Sequence, residues 1–215
     1  MTASVDLYWL PLGAGGPWAV RCGGRLYEAV VARRRHRVPL DLFHSALCVR
    51  LRGELYTVEM APVWGGTVAD RGVVAEGPVG HPWLGRSRAF RYEVRRWRNG
   101  RIPDIDGAVA SPQRLGTDAG PAERLLRVLP DFPRLTWGLD ELGTGDMWNS
   151  NSLISWTLAI SGHPVHRAVL PPHGRAPGWT AGLVAAAGHP MPARRSSGVP
   201  GIDRDRHVVD EGRAC

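Results

Sequence analysis

The sequence predicts an α+β fold in which an antiparallel sheet packs against a few helices. The first half of the chain holds short segments rich in aromatic and β-branched residues, separated by glycine or proline turns, as is typical of strands. The second half holds helical patterns that open with proline or small polar residues and close at glycine. With 215 residues and 43% hydrophobic content, the chain can form one well-buried core.

The predicted elements follow in chain order from these patterns. Strands are predicted at residues 5–10, 25–32, 43–51, 55–61 and 90–97, and helices at 121–129, 150–162 and 178–188. The glycines of residues 12–16 lack the spacing of a dinucleotide-binding loop and predict a hairpin turn. We expect one domain over residues 1–189. Residues 190–215 mix Pro, Gly, Ser and charge without apolar periodicity and predict a disordered tail.

Composition excludes several functional classes. The net charge is +7, and all 27 basic residues are arginine, which excludes a phosphate-binding loop ending in Gly-Lys and a Schiff-base lysine. The arginine runs are scattered, so a solvated surface is favoured over a nucleic-acid site, and we expect no nucleic-acid partner. The three cysteines are far apart and no histidine pair has ligand spacing, so we expect no metal and no cofactor. No signal peptide or membrane span is evident, which predicts a cytoplasmic protein. The oligomeric state is not indicated.

The predicted strands at residues 43–51 and 55–61 form a hairpin whose register can be derived from its alternation. The large apolar side chains of both strands lie on one face only if odd positions of the first strand pair with even positions of the second, for example Val49 opposite Tyr56 around a turn at Arg52 and Gly53. Those side chains are Leu47, Val49, Leu51, Tyr56, Val58 and Met60.

The same register places His44 and Glu59 together on the other face. A carboxylate there could accept a hydrogen bond from one ring nitrogen and leave the other nitrogen as a base. The alternative is that both are half-exposed sheet residues paired by chance. Cys48 shares this face, but it is roughly 13 Å along the strand from His44, too far for proton transfer, and a buried small hydrophobe is the better interpretation.

A helix that could carry a nucleophile opens in "GDMWNSNSLISWTLAISG". Ser150 lies in its first turn on the same stripe as Leu153 and Ile154, so it is expected to point toward the sheet. The helix N-terminus would supply NH groups for an oxyanion. The neighbours expected to line this site are Asp146, Trp148, Asn149 and Asn151. The alternative is that Asp146, Asn149, Ser150 or Ser152 simply caps the helix.

Together, the histidine that opens a strand, the strand ending "YTVEMAP" and the helix opening "NSNSLISWTL" resemble the circularly permuted papain-like superfamily of NlpC-type amidases and lecithin retinol acyltransferase-like enzymes. The resemblance covers about residues 41–162. It implies a permuted papain-like fold in which His44 is the base, Glu59 orients it, and Ser150 occupies the position of the nucleophilic cysteine.

Two functions remain open. One is a hydrolase or acyltransferase that acts on an amide or ester, with Ser150 as nucleophile, His44 as base and Glu59 as orienting group. The other is a degenerate relative that keeps the cleft as a binding module, because a serine hydroxyl is far less acidic than a thiol. The expected partner is a small-molecule, acyl or peptide substrate. Trp64, Trp83 and Trp148 would suit an acyl group or an anionic amphiphile, and would equally suit a core.

Overall fold

The computed structural model describes residues 3–13, 18–63 and 71–188. The strands of this part are β1 (Ser4–Pro11), β2 (Asp41–Leu51), β3 (Glu54–Pro62), β4 (Val73–Pro78), β5 (Arg91–Arg98), β6 (Val109–Gly116) and the short β7 (Gly174–Arg175). The helices are α1 (Trp18–Arg34), α2 (Ala119–Val128), α3 (Ser150–Ser161) and α4 (Trp179–Ala187). The tail predicted for residues 190–215 lies outside the described residues.

The strands form one sheet in the order β4-β5-β3-β2-β1-β6, and all neighbours in this order are antiparallel. The short β7 pairs in parallel with the beginning of β2, at Asp41 and Leu42. The α+β class with an antiparallel sheet is therefore confirmed. Among the described residues, no helix is both long and apolar enough to cross a membrane.

The β2–β3 hairpin has the register that its sequence predicts. Val49 is paired with Tyr56 around a turn at Arg52 and Gly53, both of which have positive φ. The side chains of Leu47 and Val49 join the main core, whereas Ala46 joins a smaller cluster with Leu10 and Ile102 on the opposite face. The main core thus covers one face of the sheet and the smaller cluster lies on the other. The face on which a candidate site residue lies therefore determines what it can contact.

The main core lies between the sheet and the helices of the second half. α2 and α3 pack on the sheet, and α4 packs on α3. Almost every residue of α3 is buried, including Leu153, Ile154 and Trp156. The apolar sides of the sheet and of α3 therefore meet directly.

Two sequence-based predictions in the first part of the chain are wrong. Residues 25–32 are in α1 rather than in a strand, and their burial has a helical period, with Glu28 and Ala32, four residues apart, as the buried positions. Residues 12–16 are predicted as a hairpin turn, but the chain passes from β1 into α1, whose first residue is Trp18. Residues 14–17 of this segment lie outside the described residues.

Sequence patterns did not predict β4 and β6, which are the two ends of the main sheet. Their sequences, VVAEGP and VASPQRLG, contain glycine and proline and lack a clean apolar alternation. Edge strands tolerate proline and need only one covered side, so their patterns are weak.

Candidate functional site

The entrance of α3 is a helix cap built mainly from asparagine and serine. Asn149 is the N-cap, and its side-chain oxygen accepts a hydrogen bond of 2.8 Å from the backbone NH of Asn151. Ser152 accepts a hydrogen bond of 3.1 Å from the backbone NH of Asn149, which completes a capping box. Of the candidate caps, the structure selects Asn149, whose backbone lies in the extended region as N-caps require.

Asn151 ties the start of α3 to strand β2. Its amide nitrogen donates to the carbonyl oxygens of Phe43, at 2.9 Å, and Pro177, at 2.8 Å, and its amide oxygen accepts from the Ser45 hydroxyl at 2.7 Å. The Asn149 amide also donates to the Pro177 carbonyl, at 2.9 Å. These two asparagine amides were expected to line a site, but their donors are bound to backbone carbonyls.

Ser150 differs from the other serines of this helix. It is the first residue of α3 and only 5% exposed, yet its hydroxyl makes no hydrogen bond within the described part of the chain. Ser152 and Ser155 donate to carbonyl oxygens at the start of α4, both at 2.8 Å. Among the serines in the first two turns of α3, Ser150 is therefore the one whose hydroxyl does not bind α4.

His44 lies on the opposite side of β2 from α3. Because side chains alternate along a strand, His44 points away from the face on which Phe43 and Ser45 contact the α3 side. On the neighbouring strand β1, His44 is paired with Leu10 of the smaller cluster. His44 is half-buried, its ring makes no hydrogen bond among the described residues, and burial lowers its pKa to about 4. A neutral ring is suited to act as a base, but this ring does not contact the α3 entrance.

The predicted contact between His44 and Ser150 is therefore wrong, for a reason that lies in the hairpin itself. The expectation required the aliphatic stripe of α3 to face the side of the hairpin that carries His44. The stripe instead packs against the aliphatic side, with Leu47 and Val49, because that arrangement buries apolar surface on both partners.

The predicted hydrogen bond between His44 and Glu59 is also wrong. Glu59 accepts a hydrogen bond of 2.8 Å from Arg95 on the neighbouring strand, and Arg95 also binds Glu93 at 2.9 Å. All three side chains are nearly inaccessible. An acid that faces a strand carrying arginine forms an ion pair in preference to a bond with a neutral imidazole, because only the ion pair compensates a buried charge.

The remaining two candidates occupy different environments. Trp148 is 1% exposed and stacks on Phe132 with ring centroids 4.8 Å apart, so it is a core residue rather than a site-lining one. Asp146 lies 3.7 Å from Arg175, and its pKa is raised by burial. Arg175 in turn donates to Glu28 of α1 at 3.1 Å, so Asp146 belongs to a charged network on the α1 side.

Glu28 is a buried acid that sequence reasoning missed. It is 2% exposed and accepts hydrogen bonds from Arg37, from Arg175 and from the backbone NH of Leu40 at 2.9 Å. Burial opposes its ionisation, but these donors together hold its pKa below the usual value. The sequence did contain an indication of this site, because Glu28 is the only acid in the apolar run "LYEAVVA". It was missed because that segment was predicted as a strand.

A cavity of about 750 Å³ adjoins Glu28, at the beginning of β2. Most of its walls are apolar: Pro11, Leu12, Ala29, Pro39, Leu40, Leu42, Phe43, Val109, Pro171 and Pro172. The polar groups that line it are Arg25, Glu28 and Asp41. The described residues include no group of three or more His, Cys, Asp or Glu side chains that could hold a metal ion.

Comparisons with known proteins found no matching family model, no matching curated sequence and no matching solved structure.

Proposed function

We propose that this protein is a binding module, a degenerate relative of the papain-like enzymes that its motifs resemble. The observation that carries the proposal is the separation of His44 from the α3 entrance by the thickness of the sheet. A serine hydroxyl needs a base within hydrogen-bond reach to act as a nucleophile, and no described residue supplies Ser150 with one. Glu59 is likewise engaged by Arg95.

The cavity beside Glu28 is the binding site under this proposal. Its volume falls within the range of roughly 300–1,000 Å³ that is common for small-molecule pockets, which are mostly apolar with a few polar groups. The aliphatic and proline walls suit an acyl chain. Glu28 is bound to Arg37 and Arg175, so Arg25 and Asp41 are the charged groups left to contact a polar end of the ligand.

The test uses decanoate as the probe and compares two neighbouring positions of α1. Ala29 lines the cavity and Val30 does not, although both are exposed. We expect calorimetric titration to detect decanoate binding to the wild-type protein. Ala29→Trp should weaken it by at least about tenfold, because the indole takes up part of the cavity that the acyl chain would occupy. Val30→Trp should leave it unchanged. Equal loss in both variants, or no binding of decanoate to the wild type, would contradict the proposed site.

A second candidate function, a serine hydrolase or acyltransferase, is favoured by one observation: the Ser150 hydroxyl is free of hydrogen bonds within the described residues, at the first position of a helix. Helix N-termini stabilise developing negative charge. Catalysis would then require a base other than His44 in its present position.

Ser150→Cys distinguishes the two functions. A helix N-terminus alone can lower a thiol pKa, so the informative comparison is the rate of alkylation by iodoacetamide with and without His44→Gln. Mass spectrometry of the peptide that contains position 150 separates this thiol from Cys22, Cys48 and Cys215. For a binding module we expect the same rate in both backgrounds, whatever its absolute value. Fast alkylation that falls when His44 is replaced would favour the enzyme.

A further inference from the structure

Within the described part of the chain, strand β4 (Val73–Pro78) leaves one edge of the sheet unpaired. It is the terminal strand and pairs only with β5 among the strands of the described residues. The backbone groups on its outer side, from Val73 to Gly77, form no hydrogen bond with any other described segment. An unpaired edge of this kind offers a row of NH and carbonyl groups to an added strand.

Just beyond the C-terminal end of β4, the same edge is paired with the segment around Trp137. The backbone NH of Trp137 donates to the Pro78 carbonyl at 2.9 Å, and the Trp137 carbonyl accepts from the NH of Gly80 at 2.9 Å. Val79 and Trp137 form a parallel bridge. The backbone of β4 is thus oriented to accept a strand, and the described segments cover only the last residues of this edge.

A groove of about 630 Å³ runs beside this open edge. Every residue of β4 lines it, and the other walls are Pro82, Gly85, Arg86, Arg91 and Arg134. A strand of six residues is about 20 Å long. The groove is therefore lined by β4 from its first residue to its last.

The charge of the groove is positive. Arg91 is held in place by Glu76, at 3.1 Å, and by the Gly85 carbonyl, at 2.6 Å. Arg86 and Arg134 are exposed and form no ion pair with another described residue. Three arginines face one glutamate, a surplus of two positive charges, and a partner with carboxylates would neutralise that surplus.

We propose that the β4 groove binds an extended acidic peptide, which adds a strand to the sheet. Backbone hydrogen bonds with Val73–Gly77 would supply affinity, and carboxylates beside Arg86 and Arg134 would supply specificity. A second copy of this chain, paired edge to edge, is a poorer occupant because it would bring the same arginines close together. This proposal does not depend on the cavity beside Glu28.

The probe is a fluorescein-labelled octapeptide of alternating Glu and Val, followed by fluorescence anisotropy. We expect it to bind, and to lose at least about tenfold in affinity when alternate residues are N-methylated, because methylation removes the donors of one strand edge. Amide hydrogen exchange should slow within Val73–Gly77 when the unmodified peptide is added.

Two double variants with the same change in net charge test the arginines. Arg86→Glu with Arg134→Glu should weaken binding at least about tenfold, whereas Arg88→Glu with Arg127→Glu, exposed and outside the groove, should change it less than about threefold. Binding that survives N-methylation, or that both double variants weaken equally, would overturn the proposal in favour of unspecific charge attraction. Absence of binding, or protection of Val73–Gly77 by self-association alone, would also overturn it.

Discussion

At the scale of the single residue, His44 lies in an environment that favours its neutral form. Its ring lies beside Leu10 and Ala46, and no carboxylate of the described residues forms a hydrogen bond with it, because Glu59 is bound to Arg95. Burial lowers the pKa of His44 to about 4. A histidine with a lowered pKa binds its proton more weakly in the folded state than in the unfolded chain, so protonation destabilises the fold.

His44 should therefore make stability depend on pH in a defined window. Its contribution is fully present above the unfolded pKa of about 6.5 and is lost as the pH falls from there toward 4. We expect His44→Gln to reduce the loss of unfolding free energy between pH 7 and pH 4.5 by roughly 1–3 kcal/mol. Urea unfolding at several pH values measures this. The pKa of His163 is also lowered by burial, so part of the slope should remain. A slope unchanged by the substitution would contradict this account.

At the scale of the element, α3 and α4 pack so closely that the position where they meet, Gly182 of α4, has no room for a side chain. A Cβ at Gly182 would lie 2.1 Å from the Ser155 hydroxyl and 2.2 Å from the Ser152 carbonyl. The backbones approach closely enough that Ser152 and Ser155 reach carbonyls at the beginning of α4. This contact explains the serines at positions 152 and 155 of α3.

Gly182→Ala should separate the two helices and destabilise the protein by about 1–3 kcal/mol, the usual cost of overpacking. Gly23 provides a matched control, because it is an exposed helical glycine of α1 with no atom within 4 Å of an added Cβ. Gly23→Ala should raise the unfolding free energy by about 0.5–1 kcal/mol, since alanine is the better helix former. Denaturant unfolding compares them, and the same sign of change in both would refute the contact argument.

At the scale of the whole molecule, the two faces of the sheet are stabilised in different ways. One is covered by α2 and α3 and is apolar. The other holds the buried cluster of Glu59, Glu93 and Arg95, which joins strands β3 and β5. A buried arginine between two carboxylates is costly to break, because removal of the cation leaves two negative charges without compensation.

Arg95→Met should therefore destabilise the protein by about 3–5 kcal/mol. Replacing the whole cluster, with Glu59→Leu and Glu93→Leu added, should recover most of that loss, because no buried charge remains. Thermal unfolding of the two variants gives the comparison. If the triple variant were less stable than the single one, the cluster would have a structural role beyond charge compensation.

The hairpin and the α3 cap were predictable because their determinants are local. The alternation of β2 and β3 defines the pairing of Val49 with Tyr56, and small polar residues before an aliphatic run predict a cap such as Asn149. β4 was not predictable, because an edge strand with one covered side has little pattern. The segment around Glu28 was misassigned because eight residues of mixed apolar character fit both a strand and a helix.

The sequence by itself determined the fold class, the hairpin register and the division of β2 into two faces. The fold class follows from the strand and helix patterns of the two halves of the chain, and the register and the two faces follow from the period of two along neighbouring strands. Only the tertiary structure decided which face meets α3, and hence that Ser150 and His44 are separated. Only the tertiary structure paired Glu59 with Arg95, because β5 joins the sheet from a distant part of the chain. Contacts between elements depend on how the elements pack. The burial of apolar surface between α3 and the sheet decided this packing, and it left Ser150 and His44 on opposite sides of the sheet.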